Sequence, residues 1–357
     1  MRIAYDVSPL SHPATGIGNY LRGSLLGLVE AAAGGHEIVA FAPTSIRGPS
    51  RIREALAGVD VELRTWRLPA SHALRTAWSE LGRPHVERLL GPVDVLHFSD
   101  WMYPSQRAGV RATTVHDLVP LHHPDWVTPR TRAMHGRKYR NAARTCDVVF
   151  VNSAFTGRDV VETLGVREER VVVAPPGVSE VFTAEGPAAD LGRPYVLTVA
   201  APEPRKNLEV LVAAHRLLEG MLLAVAGGEW ESGRAGLSSP GVRWLGFVPD
   251  DELARLYRGA AAVAYPSRFE GFGMPIVEAM ACGVPVVASS HESLDEASGT
   301  VAVRADPDDP TAFAEAIRRA VADRGRLAAE GRAYAQRFTW RAVGETLLHG
   351  YEEARSR

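Results

Sequence analysis

The sequence predicts an α/β protein of two Rossmann-like domains in tandem, each a parallel sheet with helices on both faces. Three observations predict it. Short apolar, β-branched segments alternate with longer amphipathic ones, as in repeated β-α-β units. The alternation breaks in a stretch rich in Pro, Gly and Ala, Pro175-Pro176-Gly177 and then Thr183 to Pro194, and restarts at Tyr195. The length, 357 residues, suits two domains.

The elements follow in order. Ile3 to Val7 reads as a strand, Ser8 to Asn19 as a loop, and Tyr20 to Ala33 as a helix. His36 to Ala42 and Val59 to Leu63 are the next strands, followed by a helical region holding Trp78 and His85. Val93 to Phe98, Ala112 to His116, Asp147 to Asn152 and Val171 to Ala174 read as strands. Pro129 to Ala143 reads as a helix, and Ser153 caps another from Ala154 to Leu164. In the second half, strands are expected at Tyr195 to Ala200, Leu222 to Ala226, Val242 to Leu245, Ala261 to Tyr265, Val284 to Ala288 and Val301 to Val303. Helices are expected from Asn207 to Leu218, from Asp250 or Asp251 to Arg258, from Pro275 to Gly283, and from Pro310 to Ala322. Helical segments over 324–337 and 340–355 close the chain. Ligands of such sheets bind outside the carboxyl ends of the strands, so a cleft between the domains is the expected site.

Bulk properties narrow the class. A net charge of −2 and a hydrophobic content of 46% fit an ordinary globular chain and give no sign of a nucleic-acid partner. Cys146 and Cys282 lie in apolar segments, at a spacing that makes neither a zinc ribbon nor a Cys-x-x-Cys pair. The N-terminus reads as a strand rather than a signal peptide, and no apolar run would span a bilayer. The expected location is the cytoplasm.

Four constellations carry candidate chemistry. In the first, Phe269-Glu270-Gly271-Phe272-Gly273-Met274-Pro275, glycines open a tight loop before a helix, and Glu270 and Glu278 flank its start. Free N–H groups and the positive helix end suit a phosphate, and carboxylates suit sugar hydroxyls; a plain helix start with solvated acids gives the same pattern. The second is Glu203-Pro204-Arg205-Lys206-Asn207, at the carboxyl end of a strand. Two cations ahead of a helix oppose its dipole, which an anion between them would relieve; a solvated pair is the alternative. The third is Thr113-Thr114-Val115-His116-Asp117, where His116 either meets a substrate hydroxyl or is structural. In the fourth, Gly16-Ile17-Gly18-Asn19, the glycines would let backbone approach an anion. Leu21 occupies the third glycine position of a dinucleotide motif, and no acid ends the second strand, so a nicotinamide cofactor is not expected.

Two weaker features remain. Residues 130–144 hold Arg130, Arg132, Arg137, Lys138, Arg140 and Arg144 with no acid. They read either as a surface for anionic lipid or an acceptor phosphate, reaching the inner face of the membrane, or as a solvated helix. Asp100-Trp101-Met102-Tyr103-Pro104 reads as an acceptor wall or as packing. His122-His123 and Asp308-Asp309 are adjacent loop pairs rather than ligand sets, so no metal is expected. A departing diphosphate would then be neutralised by Arg, Lys and backbone N–H groups.

Taken together, these residues resemble the retaining glycosyltransferases of family 4, which have the GT-B fold. Glu270 and Glu278 have the family's Glu-x7-Glu spacing. The resemblance extends over Thr15-Gly16-Ile17-Gly18-Asn19-Tyr20, Val115-His116-Asp117-Leu118, Asn152-Ser153-Ala154-Phe155-Thr156, Pro176-Gly177-Val178 and Glu203-Pro204-Arg205-Lys206-Asn207, nearly the whole chain. It implies an N-terminal acceptor domain (1–178), a linker (179–194), a nucleotide-sugar domain (195–338), and a C-terminal helix (339–357) that packs back on the first domain. The Glu-Pro-Arg-Lys-Asn form resembles mannosyltransferases and favours GDP-mannose, with a UDP-sugar as the alternative donor.

The resemblance also implies roles. Arg205 and Lys206 would hold the diphosphate, Glu278 the ribose, and Glu270 with the amides near Phe272 and Gly273 the sugar. Met274 and Pro275 belong to the same donor loop. His116 would bind sugar hydroxyls, Gly16 and Gly18 would close over the phosphates, and Phe247 and Val248 would meet the base. Apart from the resemblance, Asn19, Tyr20, Trp101, Tyr103 and Asp117 are the weaker candidates to face a glycan, lipid-linked or natural-product acceptor. Configuration is kept by attack on the face from which the leaving group departs, and the leaving phosphate takes the acceptor's proton. Ala200-Ala201-Pro202 departs from the Gly-Thr or Gly-Arg that family members carry there, and Pro176 stands where an Asn is common.

Overall fold

The computed structural model describes residues 1–12, 16–228 and 237–357; Thr15, which the resemblance includes, lies outside them. The chain divides into two units, Met1–Gly177 with Thr339–Arg357, and Val178–Phe338.

The first unit is built on a seven-stranded sheet of order β3-β2-β1-β4-β5-β6-β7. Its strands are β1 (Arg2–Asp6), β2 (Glu37–Thr44), β3 (Glu62–Arg67), β4 (Val95–Phe98), β5 (Val110–Val115), β6 (Val148–Val151) and β7 (Val171–Val173). All pairs are parallel; Ile3 and Tyr5 of β1 stand opposite Ile38 and Ala40 on one side and Val95 and His97 on the other. Central strands such as β4 and β6 are buried along their whole length, as expected where helices cover both faces. The helices are α1 (Gly16–Ala31), α2 (Gly48–Ala55), α3 (Ser71–Leu81), α4 (Glu87–Leu90), α5 (Val119–His122), α6 (Pro129–Thr145) and α7 (Ala154–Leu164). Ser153 caps α7 as expected, accepting from Thr156 N. Helix α1 starts earlier than expected, so Gly16 and Gly18 form its first turn instead of a preceding loop. The short α2 was not anticipated, and His85 lies beyond α3.

The second unit carries a six-stranded parallel sheet of order β10-β9-β8-β11-β12-β13. The strands are β8 (Tyr195–Val199), β9 (Leu222–Ala226), β10 (Val242–Gly246), β11 (Ala262–Tyr265), β12 (Val286–Ser289) and β13 (Val303–Ala305). Its helices are α8 (Leu208–His215), α9 (Asp250–Gly259), α10 (Met274–Ala281), α11 (Asp295–Ser298), α12 (Pro310–Ala322) and α13 (Arg324–Ala335). One apolar core, with Tyr257, Ile276 and Met280, lies on one face; the other, with Leu211, Phe313 and Ile317, lies opposite. Residues 179–194, expected as a linker, are strapped onto this unit. Phe182 is part of its core, and Arg258 donates to the carbonyls of Thr183 and Pro187.

The last helix, α14 (Trp340–Ser356), belongs to the first unit. Thr339 caps it, and it packs on α1 backbone to backbone. A β-carbon on Gly27 would lie 1.7 Å from the Trp340 carbonyl, and one on Gly344 would lie 2.0 Å from that of Gly27, so only glycine permits the approach. In both sheets the strand order reverses beside the first strand of the unit. The candidate residues collect at the carboxyl ends there, where open α/β sheets bind ligands.

Candidate functional site

In the second unit the chain leaves β8 and makes a single 3₁₀ turn, Pro204–Lys206. Asn207 follows in the left-handed region (φ 52°), which Asn tolerates better than most residues. Its side-chain amide donates to the carbonyls of Pro266 (3.2 Å) and Pro307 (2.7 Å), pinning the loops after β11 and β13. Arg268 N donates to the Arg205 carbonyl at 2.8 Å. These ties set both cations of the turn on Glu270. Arg205 Nη1 reaches Glu270 Oε2 and Lys206 Nζ reaches Oε1, each at 2.6 Å. Lys206 also donates to the Tyr265 hydroxyl at 2.7 Å, and that hydroxyl donates to Glu270 Oε1 at 3.0 Å.

The electrostatics follow from this geometry. Burial alone would raise the Glu270 pKa, but Arg205 and Lys206 hold it down at about 2, so it stays ionised and acts only as an acceptor. Burial, reinforced by Arg205, lowers the Lys206 pKa, while Glu270 opposes the shift. Arg205 Nε donates to Glu203 at 2.7 Å, but the Glu203 carboxylate is 38% exposed and water screens it. An ammonium has three donors and Lys206 spends two on Tyr265 and Glu270, which leaves one unspent among the described residues.

The loop after Glu270 turns through Gly273 (φ 102°), where a β-carbon would stand 2.8 Å from Leu294 Cδ2. Helix α10 begins there, with Pro275 in its first turn. Phe272 is buried edge-on to Phe338 (5.3 Å), so only its backbone is available to a ligand. Among the described residues no cation stands beside Glu278, one turn into α10. Tyr257 donates to it at 3.1 Å, and burial pushes its pKa up to about 7. The two acids of the Glu-x7-Glu pair are therefore electrostatic opposites. Phe247, just after β10, is 61% exposed, while Val248 packs on the core.

In the first unit His116 follows β5. Its Nδ1 lies 3.1 Å from Asn152 Nδ2, its Nε2 3.6 Å from Asp100 Oδ2, and its ring meets Tyr20 edge-on at 5.1 Å. Burial, with Lys138 adding to it, lowers the His116 pKa, so the ring is neutral at neutral pH. With the Asn152 amide donating to Nδ1, the remaining proton sits on Nε2. Asp100 forms a buried ion pair with Lys138, whose ammonium also donates to the Thr114 carbonyl at 2.6 Å.

The other residues expected in this unit's site fall in different surroundings. Tyr20, read as an acceptor residue, is buried, and its hydroxyl is spent on the Ala174 carbonyl; it backs His116 from within the core. Tyr103 donates to Glu80, and Asp117 Oδ1 accepts from Val119 N at 3.0 Å as a turn residue. Trp101 is half-buried between His12 and the Arg75 guanidinium. Gly16 and Asn19 are exposed on the first turn of α1 and Gly18 is buried. The basic segment is not uniform: Arg130, Arg132, Arg140 and Arg144 are exposed, Arg137 pairs with Glu80 at 3.2 Å, and Lys138 is sealed inside.

Sequence reasoning missed Lys138 as a partner of Asp100, and it missed both tyrosines, Tyr257 and Tyr265. Tyr265 had a signal: it is a hydroxyl-bearing residue ending a small apolar strand at the carboxyl edge. Lys138 had a weaker one, standing beside Tyr139 on the apolar side of a helix otherwise studded with arginine. Asp306 and Asp308 have a ligand-like spacing, but Asp306 Oδ1 accepts from Asp308 N (2.9 Å) and Asp308 pairs with Arg268 (2.6 Å).

Comparison with known proteins converges with this geometry. A family model described as Glycosyl transferases group 1 matches residues 193–323, and one described as Glycosyltransferase Family 4 matches residues 16–181. The chain is 28% identical to O-antigen chain mannosyltransferase B of Escherichia coli, over 99% of this chain and 100% of that relative. It is 30% identical to D-inositol 3-phosphate glycosyltransferase of Xylanimonas cellulosilytica, over 99% and 96%. Among solved structures, sucrose-phosphate synthase from Thermosynechococcus elongatus superposes with a TM-score of 0.75 at 21% identity, covering 99% of this chain and 98% of the other. HepE of Anabaena, in complex with UDP and glucose, does so with 0.71 at 17% identity, covering 99% and 100%. These structural likenesses are of fold.

Proposed function

The chain belongs to glycosyltransferase family 4, the group 1 glycosyl transferases, and we propose that it moves a hexose, mannose by preference, from a nucleotide diphosphate to an acceptor hydroxyl with retention and without a metal ion. The coarser part stands on the comparisons: the chain is a glycosyltransferase with the GT-B fold. What carries the finer reading is the set Arg205–Lys206–Glu270. Two cations are held by one buried acid at the switch point of a parallel sheet, beside the first turn of α10.

In this reading the diphosphate lies against Arg205 and Lys206, with the amides of the Gly273 turn beside it. As the bond from the anomeric carbon to the phosphate oxygen breaks, charge builds on that oxygen. Lys206 and Arg205 are already ordered by Glu270 and Tyr265, so stabilising it costs little reorganisation. The acceptor oxygen bonds to the anomeric carbon on the same face, and its proton passes to the departing phosphate. No side-chain base is required. Glu270, permanently ionised, accepts from a hydroxyl of the transferred sugar. Glu278, with Tyr257 behind it, takes the ribose hydroxyls, and exposed Phe247 meets the base.

The first unit supplies the acceptor side. His116 lies beside a sugar hydroxyl, its ring fixed by Asn152 at Nδ1 and Asp100 near Nε2. A β-carbon at Gly16 would touch nothing among the described residues, so packing does not explain that glycine; close approach by a phosphate does. Mannose is favoured by the likeness to O-antigen chain mannosyltransferase B and by the Glu203-Pro204-Arg205-Lys206-Asn207 form. Incubating the chain with GDP-mannose, UDP-sugars and a chelator tests the whole: the expected outcome is α-mannosyl product from GDP-mannose, undiminished by the chelator. Inverted product, or activity only with added metal, would contradict it.

A further inference from the structure

Arg130 of the basic segment also belongs to a built feature of the first unit. An open cavity of about 650 Å³ lies among the loops after β2 and β3, the start of α3 and the start of α6. Arg47, Arg51, His72 and Arg130 line it, and none of the four has an acidic partner among the described residues. Ile46, 68% exposed, gives it an apolar lip. Three residues on from His72 in α3, Arg75 is buried, its Nη1 donating to the Pro43 carbonyl and its Nε lacking a hydrogen-bond partner among the described residues. The concentration of positive charge acts on the histidines nearby. Burial and then Arg130, Arg75 and Arg137 lower the His72 pKa, while burial and then Arg75 and Arg51 lower that of His12.

Three arginines around one cavity, Arg47, Arg51 and Arg130, without an acidic partner among the described residues, repel each other, and an anion relieves that repulsion. Guanidinium forks match phosphate oxygens in pairs, which a single carboxylate would satisfy less fully. The volume is large enough for a phosphate with its carbon skeleton, which Ile46 would contact. The cavity is on the carboxyl edge of the same sheet that ends in Asp100 and His116. We propose that it is a phosphate subsite for the acceptor, so that the sugar acceptor of this enzyme carries a phosphate ester. The inference rests on the reading above that the first unit takes the acceptor. A soluble phosphorylated polyol and a phospholipid headgroup share this chemistry.

The test uses the full chain and the variant Arg47→Ala/Arg51→Ala, whose side chains are exposed. Calorimetric titration with glycerol 1-phosphate and glycerol is paired with sedimentation on phosphatidylglycerol or phosphatidylcholine vesicles. GDP is titrated into the same samples. Glycerol 1-phosphate should bind, glycerol should not, and the variant should lose about tenfold for each arginine removed. Binding confined to phosphatidylglycerol vesicles and lost in the variant supports the subsite with lipid as the source. No binding to either phosphate probe, or equal binding by the variant, overturns the proposal. GDP binding that persists in that event leaves the donor reading standing; absence of GDP binding undermines the donor reading by itself.

Discussion

Each unit buries a carboxylate at the switch point of its sheet, and the two acids keep different company. In the first unit Asp100 is matched by one lysine, Lys138, whose side chain is 0% exposed, with neutral His116 beside it. In the second unit Glu270 is gripped by Arg205, 23% exposed, and Lys206, 12% exposed. The first cluster is closed and balanced in charge: it spends its lysine inside and orients a histidine. The second keeps its cations within reach of solvent. One carboxylate with a cation does not define a function; the exposure and number of its cations do.

The comparison can be broken most severely at Lys206. Lys206→Ala should lower turnover by on the order of 10²–10³, with a smaller fall in denaturant midpoint than loss of Lys138 causes, since Arg205 still holds Glu270; near-normal turnover would sink its role in stabilising the leaving group. Lys138→Met should do the reverse. Removing one partner of a sealed pair costs about 3–5 kcal/mol, read as a lower urea midpoint, and pairing it with Asp100→Asn should recover part of the loss.

A subtler contrast lies within the Glu-x7-Glu pair. The Glu278 pKa rises from 4.5 to about 7 on folding, so the folded state keeps a proton that the unfolded chain releases. Its contribution is full below pH 4.5 and is lost as pH rises to about 7. The Glu270 pKa falls from 4.5 to about 2, so its contribution is present above pH 4.5 and is lost as pH drops toward 2. Each is worth on the order of a few kcal/mol. Urea titrations across pH should show Glu278→Gln removing the first slope and Glu270→Gln the second; an unchanged slope between pH 4.5 and 7 in Glu278→Gln would refute the assignment. The smallest effect is expected on the outer face of α6. Arg132→Ala and Arg140→Ala should shift stability by no more than about 0.5 kcal/mol, in contrast to Lys138 on the inner face.

Much of this was legible in the sequence, for reasons that differ by unit. The second unit announces its site locally: Arg205-Lys206 and Glu270 to Glu278 are short runs at strand ends, where backbone geometry alone fixes the neighbours. Even there the pairing of Glu270 with both cations was invisible, because it joins loops more than sixty residues apart. In the first unit composition misled. A run of basic residues reads as a surface, yet helical periodicity turns Lys138 inward onto Asp100 while Arg132, Arg140 and Arg144 stay in water. Tyr20 went the other way: a weak acceptor candidate in a stretch that resembles the family, it has its ring in the core. The early start of α1 escaped notice because glycines usually mark loops; Gly23 and Gly27 in the same helix are there for the close approach of α14.

The central claim is that Arg205, Lys206 and Glu270 form a nucleotide-diphosphate site. It is tested most directly by calorimetric titration of GDP and UDP into the wild-type chain and Lys206→Ala. The prediction is saturable binding, tighter for GDP, that Lys206→Ala weakens by at least about tenfold. No binding of either nucleotide by the wild type, or undiminished binding by the variant, would contradict it.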